Sequence, residues 1–255
     1  MIKLTPKRER QTVGPLRETV STVFWAFFIA FILRTFLFQP FHIPSNSMQP
    51  ILTKGDYIIT SKYSVGYGKH AATPLPFPVK EGRLFERKPE RGDVIVFRSE
   101  SSNINLIKRL IGLPGDQLQM ISGVLYLNGE RIEIVSAGQE TRLDSFGNED
   151  STDVQRETYD NGKSIRIYDD LKNSTLDNTG VFTVPAGHYF FMGDNRDHSL
   201  DSRVDVGQGG AGYVAAENLI GKAEIVILSV KHDFSIRKPW TWYKVNGDRF
   251  FRGID

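Results

Sequence analysis

Apolar and polar positions divide the 255-residue chain sharply near its start. Residues 19–38, "TVSTVFWAFFIAFILRTFLF", carry a single charge, Arg34, within an apolar and aromatic run. As a helix, twenty residues at about 1.5 Å each span about 30 Å, the hydrocarbon thickness of a bilayer. Arg34 stands four residues from the far end, where a long side chain can reach headgroups. A cleaved export signal and a buried soluble helix would share this pattern. No small-x-small cleavage site occurs in "RTFLFQPFHIPSNS", and the aromatic density suits an interface, so an uncleaved anchor is the expectation.

Beyond Phe38 the period shortens to that of strands. "GDYIITSKYSV" and "GDVIVFRS" are β-branched runs opened by Gly-Asp, and "GVLYLNGERIEIV" alternates around Asn128-Gly129, a dipeptide that favours a type I′ hairpin turn. "GVFTVPAGHYFFMGD" and "LIGKAEIVILSV" read as buried strands. The expected fold is mainly β: an N-terminal transmembrane helix followed by an antiparallel sheet. Residues 67–90, rich in Pro and Gly, read as an extended loop. Residues 136–180 hold ten Asp or Glu against five Lys or Arg, with only ten apolar side chains. Such a stretch cannot build a core of its own and is expected to decorate the sheet, with one hairpin around "SIRIYDD".

Charge changes the picture only when it is divided. The net charge of +2 hides a tail, residues 1–18, in which five Lys or Arg face two Glu. The basic balance therefore lies before the apolar run, which places the tail in the cytoplasm and the rest of the chain on the other side. Nothing suggests a nucleic-acid surface. The absence of cysteine excludes disulfides, thiolate catalysis and thiolate metal sites.

Candidate chemistry begins at residues 43–50, "IPSNSMQP", where two serines stand just after the anchor. A serine hydroxyl attacks well only when a base takes its proton. Of the histidines His42, His70, His188, His198 and His232, only His198 in "GDNRDHSLDSR" is surrounded by carboxylates, and the G-x-S-x-G pattern is absent. Lysine serves equally if burial lowers its pKa. Lys108 in "NLIKRLIGLPGD" fits, with Leu106 and Leu110 on its own strand face and Ile107 and Ile111 on the other. The "SIRK" match to S-x-x-K at Ser235–Lys238 lacks companion motifs.

"PSNSMQP" after an anchor, then "RGDVIVF", "IKRLIGLPGD" and "GDNRDHSLDSR", in that order, resemble bacterial type I signal peptidases (leader peptidases) over residues 33–125 and 181–230. Two departures are Ile51, where the family often has Thr, and the extension "VDVGQGGAGYV". The resemblance implies Ser47 as nucleophile, Lys108 as general base, and Ser45 as an oxyanion donor beside the Ser47 backbone N–H. It further implies that Ser199 hydrogen-bonds the Lys108 amine, and that the pairs Asp201–Arg203 and Asp194–Arg109 brace the site. Phe41, Ile43, Pro44, Met48 and Ile107 would line shallow apolar pockets for small substrate side chains.

The implied protein is a membrane-anchored serine endopeptidase that removes signal peptides from exported preproteins, without metal or cofactor. Its organisation would be a basic tail (1–18), an anchor (19–38), a catalytic β-domain in two parts (39–125 and 181–230), a cap-like polar insertion (126–180) and an aromatic, basic C-terminal tail (231–255). It would sit in the bacterial inner membrane as a single-pass monomer, N-terminus in the cytoplasm, touching preproteins and lipid. A Ser–Lys autoprotease like the self-cleaving repressors, and a non-enzymatic anchored adaptor in an envelope assembly, are the competing readings. The anchor and the lack of a DNA-binding helix pair disfavour the first.

Overall fold

The structure, a computed structural model, describes residues 15–71, 82–143, 149–171, 174–231 and 234–254. Most of the basic tail (residues 1–14) and His232 lie outside the described residues. Helix α1 (Pro15–Ile32) continues into a π-helical turn, Leu33–Leu37, and the chain then enters strand β1 (Phe38–His42) with no intervening linker. Residues Leu16–Leu37 are long and apolar enough to cross a membrane, and only 6% of the apolar window is buried. The helix thus starts earlier than the apolar run suggested, with Glu18 in its first turn, where a carboxylate suits the positive end of the dipole. Phe38, expected to end the span, is instead the first residue of β1.

The body is built on strands β2 (Asp56–Ser61), β3 (Val94–Arg98) and β4 (Asn105–Gly112). Then come β5 (Gln117–Ile121), β6 (Val124–Leu127), β7 (Glu130–Arg131), β8 (Glu133–Leu143), β9 (Glu149–Thr158) and β10 (Ser164–Tyr168). The chain finishes with β11 (Phe182–Thr183), β12 (His188–Met192), β13 (Val214–Ala215), β14 (Leu219–Ser229) and β15 (Arg252–Gly253). The main sheet runs β1-β2-β14-β3-β4-β12-β13, with β15 added on β14. All pairs between these strands are antiparallel, as the alternation in the sequence led one to expect.

β3 explains why the sheet has two cores. Its residues Val94 to Phe97 are all buried: Val94 and Val96 pack with Ile43, Met48 and Leu52 on one face, Ile95 and Phe97 with Leu110 and Phe191 on the other. A strand covered on both faces reads as a continuous apolar run, which is how "VIVF" appears. At the β6–β7 turn Asn128 and Gly129 both have positive φ (54° and 84°), the geometry of the expected type I′ hairpin.

The polar insertion forms a three-stranded sheet, β10-β9-β8. Its apolar residues Tyr159, Ile165 and Ile167 share one core with Ile111, Leu118, Phe190 and Met192 of the body. It therefore borrows a core, as its composition required. The long β8–β9 hairpin, ten paired positions, had no signal in the hydrophobic pattern because most of β8 is exposed. At the C-terminus Ile254 is buried against β14 while Trp240, Trp242 and Tyr243 stay exposed.

Candidate active site

Ser47 lies in the turn that follows β1, between Pro44 and Pro50, which fix backbone φ on either side. The turn is tied at its base and its tip. Ile43 N–H donates to Asp56 O at 2.8 Å and Gly55 N–H to Ile43 O at 2.9 Å, while Leu52 N–H donates to Met48 O at 2.9 Å. From the far side of the molecule, Asn195 N–H donates to Ser47 O at 3.1 Å, and its side-chain amide reaches Asn46 O at 3.3 Å. Gly193 permits this approach: a Cβ there would fall 2.5 Å from Ser47 O and 2.3 Å from Ser199 Oγ. No larger residue fits.

Lys108 reaches the turn from the middle of β4, opposite Ile95 of β3. Its Nζ lies 2.7 Å from Ser47 Oγ and 3.1 Å from Ile107 O. Lys108 is 5% exposed. Burial lowers its pKa from 10.5 to about 8, although Asp201 and Asp194 pull in the opposite direction. Desolvation penalises the ammonium more than these two carboxylates favour it, because both already face guanidinium groups. Ser47 is itself buried, and Ser45 Oγ, on an exposed residue, stands 3.3 Å from Ser47 Oγ. A nucleophile within hydrogen-bond distance of a partly neutral amine can pass its proton on attack.

Around Ser47 and Lys108 the charges are paired. Arg109, pointing away from Lys108 on the same strand, holds Asp194 through two bonds of 2.7 Å and donates to Gly92 O. Arg203 holds Asp201, which also accepts Gly193 N–H at 3.0 Å. Burial pushes the Asp201 carboxyl up, but Arg203 and the N–H groups of Gly193 and Arg203 outweigh it and hold it below the usual range.

The expected bond from Ser199 to the lysine is not formed. Ser199 Oγ is buried with no hydrogen-bond partner, packed over Gly193, while Lys108 Nζ is directed at Ser47 Oγ and the Ile107 carbonyl. The pocket residues divide. Ile43 and Met48 are 2% and 1% exposed and belong to the core; Phe41 and Ile107 are half-buried against that core, and Pro44 is exposed. Ile43 and Met48 pack in one cluster with Ile58 of β2, Val94 and Val96 of β3 and Val226 of β14. His198 is exposed, and His42 lies against Tyr57, at 4.8 Å between ring centroids.

Glu157 was hidden by composition. It belongs to the polar insertion, yet it is fully buried, pairing with Arg196 and accepting Tyr159 Oη at 2.6 Å. The signal that could have flagged it is Tyr159 two residues on, a large aromatic side chain of the same strand parity that is buried with it. Among the described residues, Asp169, Asp177 and Asp197 bring carboxylate oxygens within 4.8 Å of one another. Burial raises Asp169 to about 6, opposed by Arg196 and reinforced by its two neighbours. Asp177 accepts Ser174 N–H, and Asp197 accepts the N–H groups of Asp170 and Leu171, so these two serve as turn caps.

Comparison with known proteins decides the family. The description "Signal peptidase, peptidase S26" matches residues 16–228. The chain belongs to that family. Signal peptidase I of Rickettsia typhi is 38% identical to it over 265 aligned residues, covering 96% of either chain. That of Rickettsia akari is 39% identical over 241, covering 89% of this chain and 88% of the other. A solved signal peptidase I from Enterococcus faecalis V583 aligns with 53% of this chain and 97% of its own at 26% identity, with a TM-score of 0.31, a superposition too loose to bear on the fold. As a member of the signal peptidase family the protein is a serine endopeptidase whose substrates carry signal peptides.

Proposed function

We propose that the chain is a membrane-anchored signal peptidase in which Ser47 and Lys108 form the catalytic dyad. The observation that carries this reading is the 2.7 Å contact between Lys108 Nζ and Ser47 Oγ, with the amine almost wholly buried. Neutral Lys108 accepts the Ser47 proton as Oγ attacks the scissile carbonyl. The tetrahedral oxyanion is met by the Ser45 hydroxyl and the Ser47 N–H. The new ammonium then protonates the leaving amine, which departs as the mature protein's N-terminus. The acyl-enzyme on Ser47 is hydrolysed by water that gives its proton to Lys108. Ser199, buried and unpaired beside Gly193, is the group available to orient the ammonium once it forms. The pairs Arg109–Asp194 and Arg203–Asp201 act as braces, not proton carriers.

The exposed helix Leu16–Leu37 serves as the anchor, with the basic N-terminal tail in the cytoplasm and the body on the outer face of the inner membrane. Five residues of β1 rise about 16 Å, so Ser47 works close to the bilayer, where a preprotein's apolar segment ends and its cleavage site begins. The enzyme acts as a monomer touching lipid and preprotein.

Full-length protein in lipid vesicles with a purified preprotein tests this. The native chain should release the mature protein, and Ser47→Ala should release none while remaining folded and inserted. Cleavage by Ser47→Ala at the native rate would end the assignment.

A further inference from the structure

The carbonyl end of the anchor is unusually well held. A helix leaves its last carbonyls without intrahelical partners, and at a membrane surface water and headgroups ordinarily satisfy them. Here the protein body takes them in sequence. Leu33 O accepts the Phe38 N–H that closes the π-turn. Arg34 O and Thr35 O accept Lys62 Nζ at 3.0 and 3.1 Å, Phe36 O accepts Tyr67 Oη at 2.7 Å, and Leu37 O accepts Lys62 N–H at 2.9 Å.

Lys62 is fully buried, a costly place for an amine used in no chemistry. Burial lowers its pKa to about 8, with Arg34 pushing the same way, so it remains mostly protonated at neutral pH and faces the negative end of the helix dipole. The segment that carries these donors is fixed in turn. Arg83 Nε donates to Val65 O at 2.9 Å, and its Nη1 donates to Ala216 O and Leu219 O at 2.8 Å each. Tyr67 and Leu84 exchange two backbone bonds of 2.9 Å. A continuous set of bonds therefore joins the end of the anchor to the start of β14, while β1 leads from the same helix end directly to Ser47.

We propose that Lys62 and Tyr67 are positioning residues that lock the anchor to the catalytic sheet, so that the height of Ser47 above the membrane is set rigidly and selects which peptide bond of a membrane-embedded signal peptide is cut. This rests on the signal peptidase reading above and adds a determinant of cleavage register outside the dyad. A flexible tether would let the nucleophile sample several heights. A locked one presents it at a single height, and misplacement by about 1 Å can reduce a rate a hundredfold.

The test compares two substrates of full-length enzyme in vesicles: a preprotein whose apolar segment is embedded in the bilayer, and a short soluble peptide spanning the same cleavage site. Lys62→Met keeps length and removes the side-chain donor to Arg34 O and Thr35 O while leaving the backbone bond to Leu37 O; Lys62→Arg keeps a charged donor; Tyr67→Phe removes one hydroxyl and leaves the ring. The expected result for Lys62→Met is kcat/KM on the soluble peptide within about twofold of the native value, and a fall of about tenfold or more on the preprotein. Mass spectrometry of the released chains should show additional N-termini. Tyr67→Phe should shift both readouts in the same direction by less, and Lys62→Arg should restore most of the preprotein rate and the single N-terminus. Equal losses on both substrates would make Lys62 merely structural and overturn the proposal, as would unchanged ratios and a single N-terminus in Tyr67→Phe should Lys62→Met fail to fold. If the native enzyme cuts neither substrate, it is the peptidase reading that falls.

Discussion

Replacing Lys108 by Met separates the cost of burying an amine from its use in catalysis, and the two consequences have opposite signs. A pKa brought from 10.5 down to about 8 corresponds to about 3 kcal/mol of folded-state preference for the neutral amine. Between those two pH values the unfolded chain binds the proton and the folded one does not, so the native protein gains stability as pH rises through that window. Below about 8 the full penalty is carried. Met carries none at any pH, but it loses the contacts to Ser47 Oγ and Ile107 O, each about 1 kcal/mol. At pH 7 the Met variant should therefore be more stable than the native protein by about 1–2 kcal/mol, and the order should reverse at about pH 9, where the shrinking penalty falls below the value of the two contacts. Urea unfolding of the full chain in detergent, followed by circular dichroism from pH 7 to 10.5, reads the difference directly. Other titrating groups cancel between the two proteins. Activity should vanish in the same variant, while native kcat/KM should climb about tenfold per pH unit below 8 and level off above it. A stability difference that stays constant with pH would refute the claim that desolvation sets the amine's affinity for protons.

The other expectations concern the groups around the dyad. Ser45→Ala should lower kcat by roughly 10²–10³ with little change in KM, if its hydroxyl meets the oxyanion and not the ground state; steady-state kinetics on a peptide decides this. Glu157→Ala should destabilise the fold by about 3–5 kcal/mol, because Arg196 would be left buried without its partner; urea midpoints measure it, and a change below about 1 kcal/mol would contradict the pairing.

Much of the architecture could be read from the chain because its physical causes are local. The apolar run before Phe38 specifies one long exposed helix by composition, and "VIVF" specifies a doubly covered strand by lacking any polar alternation. Asn128-Gly129 specifies its hairpin because positive φ at two successive positions suits few other pairs. The β8–β9 hairpin escaped because β8 is mostly exposed and β9 buries polar Thr152 and Glu157 beside Val154, so neither strand carries an apolar face, and Glu157 escaped because the partner that permits its burial, Arg196, lies 39 residues away.

Residue types near the site were equally visible: two serines in a turn, a lysine among aliphatics, carboxylates and arginines in short motifs. Their mutual geometry was not. Ser47 and Lys108 are 61 residues apart, and only the pairing of β3 with β4 and the closure of residues 193–195 over residue 47 brings an amine within 2.7 Å of a hydroxyl. Which apolar residues face outward, and whether Ser199 finds a partner, also depended on packing. Sequence order conveys what each side chain can do and how it prefers to turn. Whether it is dry, and what lies beside it, follows from long-range contacts that no local pattern encodes.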